Sequence, residues 1–253
     1  MSTFSLFHLL MIKVARYIYG KPEPRIDDYT SIPAISRSRT KWRFLSPFFL
    51  KDKEGHIFEN VYQFSKCYAA VPNMQIKNPI TGDIVFSHGS EVHYDKNKIL
   101  DDYYIWRKKG IECSDPIRFP VGKNNSHKCL FSLANNDDGT VDIDNKLDYV
   151  SSRKKIYINN YAKLVMETPE YQELEKLYKN GKNILILDVD GPHEESLEYY
   201  KGKYGVDDNF IVNNTVEVNE KNVNILLNDT KHPFGHGMAL AMTLMGKQQE
   251  WCN

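Results

Sequence analysis

The run NILILDVDG, residues 183–191, constrains this chain more than any other stretch. Ile184 to Leu187 are apolar without interruption, so the segment has no polar face to turn to water and is expected as a strand over 183–189, covered on both sides. Asp188-Val189-Asp190-Gly191 then supplies the residues that leave a strand through a tight turn.

The same segment resembles the nucleophile strand of haloacid-dehalogenase-type phosphatases, where an Asp-x-Asp-Gly end carries the attacking carboxylate. The surroundings argue against that chemistry. Residues 191–253 are too short for the later strands, whose crossovers take a dozen or more residues each. Pro192 follows the glycine and removes a backbone donor that a phosphate would use. Asp188 and Asp190 are therefore expected to be structural.

Charge is balanced, with 33 basic and 33 acidic residues among 253, so no overall field selects nucleic acid or an anionic surface. Cys67, Cys113, Cys129 and Cys252 are scattered and form no Cys-x-x-Cys. Free thiols in a reducing, cytoplasmic setting are the expectation. Residues 4–20 are apolar, but Lys13 and Arg16 interrupt them well short of a membrane span, and no signal-peptide pattern is visible. Leu6, Leu9, Leu10, Lys13, Tyr17 and Ile18 trace a helical stripe, which predicts an amphipathic N-terminal helix packed on the body.

A proline-broken connector follows over 20–33. Helices are expected over 58–68, 148–164 and 169–180, the last opening at Thr168-Pro169. Residues 209–218 and 222–227 read as strands from their β-branched content, and 238–251 as a closing helix rich in small residues. Residues 70–148 read as short strands and loops inserted around the core. The fold class expected is α+β and helix-dominated: one domain over 1–253, with the N-terminal helix and connector over 1–33 and the insertion over 70–148.

Within FENVYQFSKCY, Glu59, Gln63 and Lys66 stand at i, i+4 and i+7, a carboxylate, an amide and an ammonium on one helical stripe. Glu59 and Lys66 are too far apart on a helix to pair directly. Either Gln63 bridges them, or all three face a ligand.

These residues, with Phe44-Leu45-Ser46-Pro47-Phe48, the Lys53-Glu54-Gly55 turn, Asn228-Asp229, Gly235-His236-Gly237 and the helix from Leu240 to Met245, resemble the NADAR superfamily. Its members run from a Phe-Leu-Ser-Asn-Phe segment into a Glu-x3-Gln-x2-Lys helix and end on a glycine-rich turn and a Leu-Met helix. The chain departs from that pattern where Asn60 replaces the usual His, Pro47 replaces Asn, and the tryptophan before the final turn is missing.

The resemblance implies an N-glycosidase that cleaves a ribose C1′–nitrogen bond through an oxocarbenium-like state. Implied substrates are nucleotide-like: an ADP-ribosylated nucleobase or a ribosylaminopyrimidine phosphate. No cofactor and no metal are implied. Glu59 would stabilise the cation or orient water, Lys66 would meet a phosphate or the leaving group, and Asp229 would be a general base. Gln63, Phe44, Tyr62, Asn228, His232, Gly235, His236 and Gly237 would contact substrate, with Trp42, Phe44 and Tyr62 as a stacking wall or simply as core. The glycine-rich turn is either an anion seat at a helix N-terminus or only a tight turn. His232 and His236 as zinc ligands are disfavoured by the glycines and proline between and after them. Two rivals stand beside the enzyme: a non-catalytic nucleotide sensor using the same pocket, and an enzyme acting on ADP-ribosylated nucleic acid along the basic stretch 106–109. No membrane partner is expected.

Overall fold

The computed structural model describes residues 10–77, 84–136 and 139–252. In chain order, the elements that matter here are β1 (Ile12–Arg16), β2 (Tyr29–Pro33), α1 (Phe58–Gln63), β3 (Lys66–Cys67), α2 (Asp101–Ile111) and β4 (Phe131–Ser132). They continue with α3 (Pro169–Lys179), β5 (Asn183–Asp188), α4 (Leu197–Tyr204), β6 (Thr215–Glu217), α5 (Glu220–Asn228) and α6 (His236–Leu244). Helices and several small sheets make a mixed α/β fold. The chain divides into two compact units, one built from residues 1–46 and 165–253 and the other from 47–164.

The first unit is organised by a sheet of strand order β6-β1-β5-β2. β5 pairs in parallel with β1, Ile184 opposite Ile12, and in parallel with β2, Ile184 opposite Thr30. β6 runs antiparallel on the outer edge of β1. Ile184, Leu185, Ile186 and Leu187 are all fully buried, as the apolar run requires. Leu185 and Leu187 pack with Ala15, Tyr17, Ile26 and Tyr29, while α6 packs on the same two central strands. Helix α3 begins as its sequence predicts: the Thr168 side chain accepts from Tyr171 N at 3.1 Å, and Pro169 sits in the first turn.

Four expectations for this unit are overturned. Residues 12–16 form a central strand, not part of an amphipathic helix: Ile12, Val14 and Ala15 are buried, and the register with β5 satisfies the backbone. Leu6 and Leu9, which also suggested the stripe, lie outside the described residues. Residues 29–33, placed in a connector, form the edge strand β2. Residues 222–227 are helical, because Asn219 caps the helix by accepting from Asn222 N at 2.9 Å. Val223, Leu226 and Leu227 then fall on one buried face. The closing helix also stops at Leu244, where Gly246 adopts a left-handed φ of 67°, before a short helix Gln248–Cys252.

The second unit has its own core of Phe64, Cys67, Tyr68, Tyr103, Trp106, Ile117, Phe131 and Leu133. Most of these come from 70–148, so that segment supplies the core and does not merely wrap one. Gly110 is what lets α2 approach α1, since a Cβ there would lie 2.0 Å from the Phe64 ring. Helix α1 ends at Gln63, five residues short of the expected 58–68. Ser65 Oγ donates back to Tyr62 O at 2.7 Å, and the chain then extends to pair β3 with β4. Residues 149–166 are helical throughout, with a π-helical stretch over Arg153–Ile158.

Candidate functional site

Helix α1 brings three of the predicted residues together. Gln63 Nε2 donates to Glu59 Oε1 at 2.9 Å, and Lys66 Nζ donates to Gln63 Oε1 at 2.8 Å. The amide thus bridges the carboxylate and the ammonium, even though Lys66 lies on β3 beyond the helix end. Glu59 and Lys66 are each only 6% exposed. Lys66 Nζ also stands 4.4 Å from the centroid of the Tyr62 ring, which packs on Tyr157 at 4.6 Å. Burial lowers the Lys66 pKa, against the opposing pull of Cys129 and Glu59. Burial likewise raises the Tyr62 hydroxyl. A carboxylate and an ammonium held in a protected, low-dielectric setting are groups that electrostatic catalysis or ligand binding can use.

Asn60, between them, does something else. Its Nδ2 donates to Cys113 O and Asp115 O, each at 3.0 Å, and its Oδ1 accepts from Ile117 N at 2.7 Å. The residue that stands where the resembled family carries His is a clamp on the 113–117 loop.

Asp229 belongs to the first unit, apart from Glu59, Gln63 and Lys66. Both oxygens are engaged. Tyr199 OH donates at 2.7 Å, Tyr200 OH at 2.9 Å, Lys231 N at 3.1 Å and His232 N at 3.2 Å, with His232 Nδ1 at 2.6 Å. Burial works to raise the carboxyl's pKa, but these hydrogen bonds outweigh it and hold it at about 2. A carboxylate so acidic and so fully occupied is a poor acceptor for a substrate proton. Asp229 instead fixes α4 and the turn after α5. His232 is fixed with it, its ring 4.9 Å from that of Tyr199. Asn228 is exposed and donates to Asn224 O at 2.8 Å within its own helix.

The glycine-rich turn is also already filled. Asp188 Oδ2 accepts from Gly237 N at 2.7 Å, and Asp188 Oδ1 lies 3.2 Å from His236 Nδ1. The other ring nitrogen of His236 bonds to the carbonyl of Ala34. The anion at the N-terminus of α6 is therefore the protein's own aspartate, which occupies the place where a phosphate on Gly235, His236 and Gly237 was expected. Both glycines are needed there: Gly235 has φ 74°, and a Cβ on Gly237 would come within 2.9 Å of Asp188 Cβ. The acidic pair that resembled a phosphatase motif is accordingly a helix cap and a turn, with Asp190 N donating to Asp188 Oδ1 at 3.1 Å.

Phe44 lies in the first unit on the short helix Lys41–Leu45, 39% exposed, with the Arg43 guanidinium 5.0 Å from its ring centroid. Trp42 on the same helix is buried. Among the described residues, one group of metal-ligating side chains lies within 4.8 Å, Asp52, Glu54 and His56. There His56 Nδ1 is paired with Asp52 at 3.1 Å and Glu54 at 3.4 Å.

Sequence reading missed a cleft in the second unit. It has a volume of about 520 Å³, lined by the 52–56 turn, Val61, one side of α2, Asn135, Asn136, Gly139 and Val141. Arg107 and Asn135 line it, yet Arg107 was read only as part of a basic cluster. Trp106 and Arg107 are buried while Lys108 and Lys109 are exposed, a division that helical periodicity around Tyr103 could have revealed. Comparison with known proteins finds no matching family model, no matching curated protein and no matching solved structure. No helix among the described residues is long and apolar enough to cross a membrane.

Proposed function

We propose that this protein is an N-glycosidase acting on the ribose C1′–nitrogen bond of a nucleotide-like substrate, an ADP-ribosylated nucleobase or a ribosylaminopyrimidine phosphate. The observation that carries the reading is the buried chain Glu59–Gln63–Lys66, joined by hydrogen bonds of 2.9 and 2.8 Å. The resemblance of its spacing to the NADAR helix supplies the reaction class. In the proposed reaction positive charge grows on the ribose, and the Glu59 carboxylate stabilises it. Gln63 holds Glu59 in place, and Lys66 meets the departing nitrogen or a phosphate.

A second reading is favoured by Asp229. With that carboxylate committed to Tyr199, Tyr200 and His232, the second acid–base group is lost, and a nucleotide sensor that binds without turnover uses the same residues.

One experiment separates the two. The protein is incubated with ADP-ribosyl-guanine, NAD and ribosylaminopyrimidine phosphates, and free base is sought by mass spectrometry. The enzyme releases base, and Glu59→Gln lowers turnover by about 10²-fold or more, about 3 kcal/mol of transition-state stabilisation, while affinity holds. The sensor binds at micromolar concentration, releases nothing, and keeps its affinity in Glu59→Gln. Turnover that is indifferent to Glu59→Gln removes the carboxylate role.

A further inference from the structure

The cleft in the second unit contains a buried cation whose hydrogen-bond partners are all neutral. Arg107 is 4% exposed. Its Nη1 donates to Phe64 O at 3.0 Å and Tyr103 OH at 3.2 Å, and its Nη2 donates to Asn135 Oδ1 at 2.5 Å. All three acceptors are neutral, and no carboxylate among the described residues pairs with it. Holding a guanidinium out of water without an opposite charge costs several kcal/mol, so such a group is normally paired.

Among the described residues, the acidic groups that line the cleft, Asp52, Glu54 and Glu112, each have other partners. Asp52 accepts from Glu54 N at 3.0 Å and His56 N at 2.9 Å, besides its bond to the His56 ring. Glu54 also reaches that ring at 3.4 Å, and Glu112 lies 3.9 Å from Lys108. What remains beside Arg107 is a set of donors. Asn135 turns its oxygen to the guanidinium, which leaves its Nδ2 group as a donor on the same wall, and Tyr104 lines the cleft beside them. Val61, Ile111 and Val141 make the apolar part of the lining.

We propose that this cleft binds a small organic anion, a carboxylate or a phosphate ester, with its charged end on Arg107 and Asn135 and its body against Val61, Ile111 and Val141. The planar fork of arginine matches either anion with two parallel hydrogen bonds. The volume of about 520 Å³ falls in the range of small-molecule sites. Val61 stands two residues from both Glu59 and Gln63, on the opposite sector of α1, so this is a second site and does not depend on the glycosidase reading.

The test is calorimetric titration of the full chain with benzoate, phenyl phosphate and inorganic phosphate. The expected result is saturable binding of benzoate or phenyl phosphate, tighter than inorganic phosphate because the apolar wall contributes. The tighter of the two names the anion. Tyr104→Phe and Asn135→Ala each weaken it by about fivefold, the worth of one hydrogen bond, and Arg107→Lys by tenfold or more. Arg107 also supports Phe64 and Tyr103, so its variant is read beside the other two, which leave those contacts in place. Glu59→Gln leaves the affinity unchanged. The proposal is overturned if no probe binds saturably, if inorganic phosphate binds as tightly as the others, or if binding is unaltered in all three cleft variants.

Discussion

Asp188, the last residue of the central strand β5, accepts the backbone N–H of Gly237 at 2.7 Å and so closes the N-terminus of α6 on the sheet. The bond joins the two most buried elements of the first unit, and the negative charge sits where the helix dipole favours it. Asp188→Asn keeps the shape, loses the charge and places an amide group against Gly237 N or His236. The expected cost is about 1–3 kcal/mol, a loss of several degrees in Tm for a chain of this size. On the proposed function, turnover per folded molecule stays within about tenfold. A variant with unchanged Tm and abolished turnover would reverse the assignment of Asp188 as structural.

Asp229 makes stability depend on acid. Its folded value of about 2 lies below the ordinary 3.8, so its contribution is complete above about pH 5 and is lost as pH falls through 3.8 toward 2. The gap corresponds to about 2 kcal/mol as an upper bound, reduced by whatever solvent screens the site. Asp229→Asn should lower stability at pH 7 and flatten the acid limb in the same window, measured by urea denaturation at a series of pH values. An acid limb as steep in the variant as in the parent would mean that other carboxylates carry it.

Asn60 gives a prediction that separates fold from chemistry. Asn60→Asp keeps the acceptor for Ile117 N but sets a carboxylate oxygen against the carbonyls of Cys113 and Asp115. Two donors become one repulsive group in a fully buried position, and the expected loss is about 3 kcal/mol. Asn60→His should also destabilise, because one ring cannot make all three bonds. Thermal denaturation checks both, and a stable Asn60→His variant would show that the 113–117 loop does not need this clamp.

How far the sequence discloses these features depends on the range over which they are determined. The strand Asn183–Asp188 and the helix Pro169–Lys179 are legible because an apolar run and a Thr-Pro start decide them locally. The strand Ile12–Arg16 is not, because its five residues suit either element, and it is pairing with β5 and β6 that selects extension. The helix Glu220–Asn228 is legible in principle: Asn219 followed by Val223, Leu226 and Leu227 is a cap and a helical face, and these local signals prevail over the β-branched content that suggests a strand. At the candidate site the local spacing Glu59–Gln63–Lys66 discloses a real hydrogen-bonded chain. Asp229 and His236 look reactive in sequence because nothing there shows Tyr199, Tyr200 or Asp188 coming to meet them.

Lys66 carries the last prediction, which rests on the proposed reaction. Burial lowers its pKa from the ordinary 10.5, so it gives up its proton at a lower pH than a free lysine. If the ammonium assists the leaving nitrogen, turnover should fall as pH rises through that lowered value, the basic limb of the profile. Lys66→Arg holds its charge across the whole range and should move the limb upward, with a lower plateau because the guanidinium cannot reproduce the single bond to Gln63 Oε1. Lys66→Ala should weaken affinity and turnover together, since a cation that holds a phosphate stabilises ground and transition states alike. The measurement is turnover and affinity from about pH 6 to 10 for the parent and both variants. A basic limb that stays in place in Lys66→Arg would assign it to another group and leave Lys66 a structural partner of Gln63 and Tyr62.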